Sequence, residues 1–475
     1  MAAPPRVRVM KFGGTSILGC RGVERVASIL SPLSSGGPGT VAVVSAMAGI
    51  TDVLLGGARA AAAGRAGLDQ AADTVREAHL RVAQDLLGER ELGQFSAHLG
   101  AVISRYRAHG ALLSGASSEA GRTLEAASSA GELLSAALLA AALRGEGVAA
   151  VAVDAARLLV TDGHPRAAAP LVTESRELAR EQLLPLLREG TLPVVTGFRA
   201  GTPAGEVTTL GRGGSDHSAT LLGAILDAAE IWIWTDVDGI LTADPRLVAD
   251  ARLLPEVSYS EAMELSYFGA KVLHRSAVPA AASSKIPIRI KNTMHPDRAG
   301  TVIDARPPGP GRVRAVTHVE QASLLTLTAN PEAGLNRLAA EVFSALADAR
   351  ITTLLVTQSS AEEVICLAVP TVEQDPARDA LLQARSLRAL AVQDQVSVVV
   401  LVGEAMRGTV GIAGEMFAAL GDRGINVIAI SQGSSELAVT AVVSRRDVGD
   451  AVRELHHRFG LDGPGWRPAA RRIRS

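Results

Sequence analysis

Two stretches near the C-terminus align without a gap: AAEVFSALADARITTLLVTQSS from Ala339 and AGEMFAALGDRGINVIAISQGS from Ala413, 74 residues apart. Such a repeat confines this region to two copies of one supersecondary unit, because each copy must bury the same apolar positions. Each copy reads strand, helix, strand, strand, helix. The pattern predicts paired α+β modules of βαββαβ type, each with one sheet and helices on one face. The expected bounds are about 312–395 and 396–463, with a tail free to return to the first module.

Upstream the pattern changes. VRVMKF, the turn GGTS, an amphipathic stretch over 22–30 and TVAVVSA read as a βαβ unit. Residues 56–130 carry Ala, Arg, Glu, Leu and Gln at helical spacing and read as a helical insertion. Apolar runs then return at 148–154, 191–197, 231–236 and 286–292, separated by helical segments, as buried parallel strands require. ARPPGPGR at 305–312 continues neither helix nor strand. The expectation is an α/β unit over 1–306 with a mainly parallel central sheet, then the repeat.

Composition excludes several classes. In 475 residues, 47% are hydrophobic and 20% charged, which is too apolar for a disordered chain. A net charge of −2 provides no basic field for nucleic acid or an anionic membrane, so any anionic ligand must be held by local charge. No run of about 20 apolar residues lacks a charge or turn signal, and the N-terminus has no apolar leader core, so a cytoplasmic protein is expected. Cys20 and Cys366 fit no metal or redox spacing and read as reduced structural residues. Among 47 basic residues only Lys11, Lys271, Lys285 and Lys291 are lysines. A lysine kept against that bias suits a site needing a compact point charge.

Four segments carry chemistry. Lys11, Phe12, Gly13, Gly14, Thr15 and Ser16 form a glycine turn between a strand and a helix, where backbone N–H groups favour phosphate oxygens. Neither a G-x-x-x-x-G-K-[ST] nor a G-x-G-x-x-G fingerprint occurs. A second glycine loop, Gly211-Arg212-Gly213-Gly214-Ser215-Asp216, opens a helix. Arg212 there can clamp a carboxylate and Asp216 can face an ammonium group, while simple N-capping by Ser215 or Asp216 is the alternative. WTDVDGILTADPR (234–246) puts polar residues at the end of an apolar strand, where open α/β sheets bind ligands. SYFGAKVLH (266–274) places Lys271 just past a glycine.

Together with VVSAMAGITD, these motifs in this order resemble the aspartokinases of the amino acid kinase family, over nearly the whole chain. The repeat resembles the two ACT modules that regulate those enzymes, the second inserted within the first. The resemblance implies phosphoryl transfer from ATP, with Mg²⁺, to the side-chain carboxylate of L-aspartate. Lys11, Gly13 and Gly14 would then stabilise the transferring group, Lys271 would hold the nucleotide phosphates, and Asp216 would act beside them. Arg212, with Gly213, Gly214 and Ser215, would bind the α-carboxylate, Glu132 and Asp216 the ammonium group, and Ser45 and Thr51 would line the pocket. Phe12, Thr235, Asp236, Leu241 and Arg246 match nucleotide contacts. Two positions depart from the family: Leu241 where tyrosine is usual, and Arg275 where proline is usual.

The tail most resembles the kinase half of bifunctional aspartokinase–homoserine dehydrogenases. That likeness implies threonine sensing through Gln358 and Gln432, with lysine as the rival effector, and a homodimer or homotetramer formed through the ACT modules. Because the sequence ends just after the second module, a monofunctional enzyme is expected. The alternatives are a kinase for another acidic amino acid and a catalytically inactive amino acid sensor.

Overall fold

The computed structural model describes residues 6–33, 39–113, 120–164, 168–269, 272–305, 313–359 and 361–462. They form two compact units: Met1–Gly239 with Val272–Ala305, and Ile240–Lys271 with Arg306–Ser475. The chain therefore changes unit at three places, where the sequence suggests one boundary at 305–312. Ile240–Lys271 joins the second unit because Ala243 and Val248 are buried in the core built by the second repeat copy.

The first unit opens with β1 (Val7–Phe12), α1 (Gly19–Leu30) and β2 (Gly39–Val44). A helical region follows: α2 (Ile50–Ala62), α3 (Leu68–Leu86), α4 (Glu89–Leu112), α5 (Ala120–Ser128) and α6 (Ala130–Gly145). Next come β3 (Ala150–Val153), α7 (Val172–Arg188), β4 (Leu192–Thr196), the hairpin β5 (Arg199–Gly201) and β6 (Val207–Thr209), α8 (Gly214–Ile225) and β7 (Glu230–Thr235). The second unit contributes β8 (Glu256–Ser258) and α9 (Tyr259–Tyr267), the latter started by a capping box between Ser258 and Glu261. The first unit then closes with α10 (Val278–Ser283), β9 (Ile288–Asn292) and β10 (Thr301–Asp304).

Within the first unit the strand order is β3-β4-β2-β1-β7-β9-β10. Every neighbouring pair is parallel except β9 and β10, matching the expected mainly parallel sheet. Side chains alternate across β1. Met10 and Phe12 enter the core shared with α1 and α6, while Lys11, facing the other way, reaches Asp216 on α8. Helix α6 is buried on nearly all sides, as its run of Ala and Leu dictates. The stretch Thr123–Gly145 has the length and apolarity of a membrane span, but 83% of its apolar window is buried, which marks it as a core helix.

The repeat follows: β11 (Ala315–Ala329), α11 (Leu335–Ala349), β12 (Leu355–Ser359), β13 (Val364–Pro370), α12 (Gln374–Leu381), β14 (Leu387–Val402), α13 (Ile412–Asp422), β15 (Val427–Gln432), β16 (Ala438–Ser444) and α14 (Val448–Arg458). All these strands join one antiparallel sheet, β12-β13-β11-β14-β16-β15, over two separate cores. The nesting runs opposite to the expected one. Strand β11 is long enough to serve both modules: Val316 packs in the second core and Leu325 and Leu327 in the first, with register shifts between Val319 and Leu324. The second module thus brackets the first. The tail beyond 462 lies outside the described residues.

Candidate active site

A cavity of about 530 Å³ lies within the first unit. Lys11, Ser45, Thr51, Glu132, Arg212, Gly213, Gly214, Ser215 and Asp216 all line it. These residues come from β1, the loop after β2, α2, α6 and the glycine loop that opens α8. The parallel sheet brings them together at the ends of its central strands.

Lys11 Nζ lies 2.6 Å from Asp216 Oδ1, both side chains being only 12% exposed. Asp216 Oδ2 also accepts the backbone N–H of His274 at 3.3 Å. Asp216 and Ser215 do not cap α8: its N-cap is Gly213, without a side-chain capping bond, so the capping alternative falls. The first turn of α8 leaves N–H groups open beside the cavity, an arrangement that favours an anion. Gly213 has φ +69°, and a Cβ there would sit 2.1 Å from the ring of His274. Only glycine suits this turn, and His274 thereby shapes the loop that carries the exposed Arg212. His274 also caps the turn Arg275–Ala277, with Ser276 N–H donating to Nδ1 at 3.3 Å. A proline is therefore not needed at position 275 to start α10.

Glu132 is 3% exposed, and Oε2 has no partner among the described residues. Burial pushes its carboxyl up to about 7, opposed by backbone N–H bonds, including that of Ala46, and by the charge of Arg199. Gly131 allows this approach, since a Cβ there would lie 2.6 Å from Cβ of Ala46. A buried carboxylate with an open oxygen is costly unless something cationic completes it.

Other predicted residues stand apart. Phe12 is fully buried and stacked on Trp234, 5.9 Å between ring centroids, so its side chain supports the sheet and cannot touch a nucleotide. Gly13 and Gly14 form the turn beside Lys11. Gly13 N–H donates to the Trp234 carbonyl at 3.2 Å, and the Gly14 carbonyl accepts from Ala48 at 3.1 Å. Thr235 ends β7 and Asp236 follows it, the two joined by a 3.2 Å hydroxyl-to-carboxylate bond. Leu241 and Arg246 fall in the second unit, where Leu241 bridges Leu253 and Arg246 pairs with Asp244 at 2.6 Å. Lys271 lies outside the described residues.

Sequence reasoning missed Arg59 and Glu125, which also line the cavity. Glu125 Oε1 accepts the Thr209 hydroxyl at 2.9 Å, tying α5 to the strand that leads into the glycine loop. Its position seven residues before Glu132 in a stretch read as helical was the available signal.

A second cavity, about 340 Å³, lies within the second unit along the run from Gly408 to Gly414. Gln432 and Glu436 line it. Gln358 is exposed on the edge strand β12 and does not line it.

The amino acid kinase family model matches residues 6–292, more than half of the chain. The chain belongs to the amino acid kinase family. An ACT domain model matches 399–459, inside the second repeat copy. Within the family its relatives place it in the aspartokinase branch. It is 33% identical to a chloroplastic bifunctional aspartokinase/homoserine dehydrogenase 2 of Arabidopsis thaliana, over 96% of this chain and 52% of that protein. The chain spans about half the length of that curated relative. E. coli aspartokinase III in complex with aspartate and ADP matches with TM-score 0.82 and 30% identity, covering 95% of this chain and 99% of that one. The same E. coli enzyme with lysine and aspartate matches with TM-score 0.77 and 31% identity, again over 95% and 99%. This amino acid kinase thus shares an aspartokinase layout through both of its units.

Proposed function

We propose that this chain is an aspartate kinase, transferring the γ-phosphoryl group of ATP to the β-carboxylate of L-aspartate to give 4-phospho-L-aspartate. The observation that carries this reading is the buried, half-satisfied Glu132 in the same cavity as Arg212 and Lys11. Glu132 complements an ammonium group and Arg212 an α-carboxylate, which together select an α-amino acid. Its side-chain carboxylate then points at the phosphoryl site beside Lys11.

The acceptor carboxylate is already ionised at neutral pH, so no base is required and catalysis rests on positioning and charge neutralisation. Asp216 holds Lys11 in the cavity by their ion pair, and Lys11 neutralises charge on the transferring group. The N–H groups at the start of α8, from Ser215 and Asp216, add fixed positive ends to the same region. Among the described residues no group of three or more His, Cys, Asp or Glu could cage a metal. Mg²⁺ would come on the nucleotide phosphates, where it keeps several waters and needs few protein ligands. Thr235, Asp236, Leu241, Arg246 and Lys271 are assigned to the nucleotide. Along the sequence the kinase module would span 1–306 and the paired ACT modules 312–475, with Ile240–Lys271 belonging to the second compact unit.

The regulatory reading is inhibition by threonine at the ACT modules, supported by the cavity at Gln432 and its glycine-rich loop. Gln358 would transmit the signal, and the enzyme would assemble as a dimer or tetramer through these modules. MgATP, aspartate and reduced cysteines suit the cytoplasm, and the product would serve lysine, threonine and methionine synthesis. The test is ADP release from MgATP with and without L-aspartate, then with threonine and lysine titrated separately. Aspartate-dependent turnover suppressed by threonine supports both halves. Turnover blocked by lysine alone removes the threonine assignment, and no aspartate-dependent ADP removes the kinase.

A further inference from the structure

A buried ion pair beside the cavity has no part in the chemistry above. Arg199, on β5, has a side chain only 6% exposed and meets Asp154 twice, Nε to Oδ1 at 2.8 Å and Nη2 to Oδ2 at 3.0 Å. Its remaining nitrogen, Nη1, donates to Ser129 Oγ at 2.5 Å and to the Ser129 carbonyl at 3.4 Å. Asp154 is anchored in turn by the Ala156 N–H at 3.0 Å and the Thr196 hydroxyl at 3.4 Å. The guanidinium fork therefore ties β5 and the end of β3 to one residue of the helical region.

That residue is the N-cap of α6, and Glu132 is in the first turn of the helix. Ser129 gives α6 no side-chain capping bond, its hydroxyl donating instead to Ala126 at 3.1 Å. The guanidinium thus fastens the helix start that its own cap leaves loose. A buried ion pair adds little net stability after desolvation, but it fixes geometry well when each charge is fully bonded.

We propose that Arg199, braced by Asp154, is a positioning residue that sets the start of α6 through Ser129 and so aims Glu132 at the ammonium group of the substrate. This rests on the reading of Glu132 given above. The charge of Arg199 also lowers the carboxyl of Glu132 against the rise caused by burial. The other charged groups around Glu132 are Lys11, Arg59, Glu125, Arg212 and Asp216 in the cavity. His98 on α4 bonds the backbone of Leu133, and His109, also on α4, feels the charge of Arg199; both are held below the usual histidine range, first by burial. A lysine at 199 would keep the charge but could not bond Asp154 and Ser129 together.

The test uses the full chain with MgATP and aspartate, measuring kcat and both KM values from about pH 6 to pH 8. Ser129→Ala removes the hydroxyl arm of the tether, leaving only the 3.4 Å contact to the carbonyl, and keeps the ion pair; Arg199→Lys keeps the charge and loses the fork. Each is expected to raise KM for aspartate about tenfold, with kcat and KM for ATP within about twofold. The paired variant Arg199→Gln/Asp154→Asn, which leaves no lone buried charge, should also move the midpoint of the aspartate KM profile to higher pH. Unchanged aspartate KM in both Ser129→Ala and Arg199→Lys overturns the proposal, as does a parallel rise of both KM values. Glu132→Gln separates the two layers: if it leaves aspartate KM unchanged, the substrate reading itself fails. If it raises aspartate KM while the tether variants do not, only the positioning role is lost.

Discussion

The cavity in the first unit draws its lining from β1, α2, α5, α6 and the loop into α8, and it sets Lys11, Arg59 and Arg212 against Glu125, Glu132 and Asp216. The cavity in the second unit is lined mostly by one continuous run, with Glu436 its single acidic residue and no basic one. The difference is physical. Moving a phosphoryl group needs several fixed charges converging in a dry place, and no short segment can supply them. In the proposed sensing role, the second cavity can draw on backbone N–H groups and one or two polar side chains, which a glycine-rich turn before a helix offers from a few neighbouring residues.

Substitutions at the two cavities should therefore fail in different ways. The largest effect is expected for Lys11→Ala: kcat should fall by about 10²–10³, the cost of losing one transition-state charge, and thermal stability should fall as well because Asp216 is left without its partner. If kcat survives, the first cavity is not the phosphoryl site. Glu132→Gln comes next. Losing a hydrogen bond to a charged group costs about 1.5–3 kcal/mol, or roughly 10- to 150-fold in KM for aspartate, and steady-state kinetics should show KM for ATP unmoved.

Gln432→Ala should reverse the pattern, leaving kcat and both KM values alone while raising the threonine concentration for half-inhibition about 5- to 150-fold, the usual range of allosteric coupling. An unchanged threonine response would deny that glutamine a sensing role. The smallest effect is in pH. With its carboxyl pushed up to about 7, Glu132 is largely protonated in the empty site below that pH and must ionise to receive an ammonium group. Aspartate KM should rise a few-fold as pH falls below about 7, and calorimetry in buffers of different ionisation enthalpy should show proton release on aspartate binding. The same group has a stability signature: a raised carboxyl favours the folded chain below its ordinary value of 4.5, and that contribution fades as pH rises through about 7. Glu132→Gln should abolish both.

Much of this was readable beforehand. The apolar runs announced the parallel strands, and the glycine loops and scarce Lys11 announced the cavity, because strand burial and tight turns are local demands on residue type. The repeat predicted its elements closely, with β13 and β16 beginning at Val364 and Ala438, the same 74 residues apart. What failed to show were relations across distance. Arg199 lies 45 residues from Asp154 and 70 from Ser129 with no spacing rule between them. Phe12 sits in the glycine-turn motif read as nucleotide-binding yet packs on Trp234, since the period of two in β1 turns it away from Lys11.

The sequence by itself determined the element types, the repeat, the glycine turns and the residue kinds able to bind phosphate and carboxylate, all consequences of local conformation and periodicity. Only the tertiary structure decided that Ile240–Lys271 joins the second unit, that β11 serves two cores, and that Glu132 is buried with one oxygen open. Burial and charge pairing are set by every segment that packs around a group, and no stretch of chain carries that information alone.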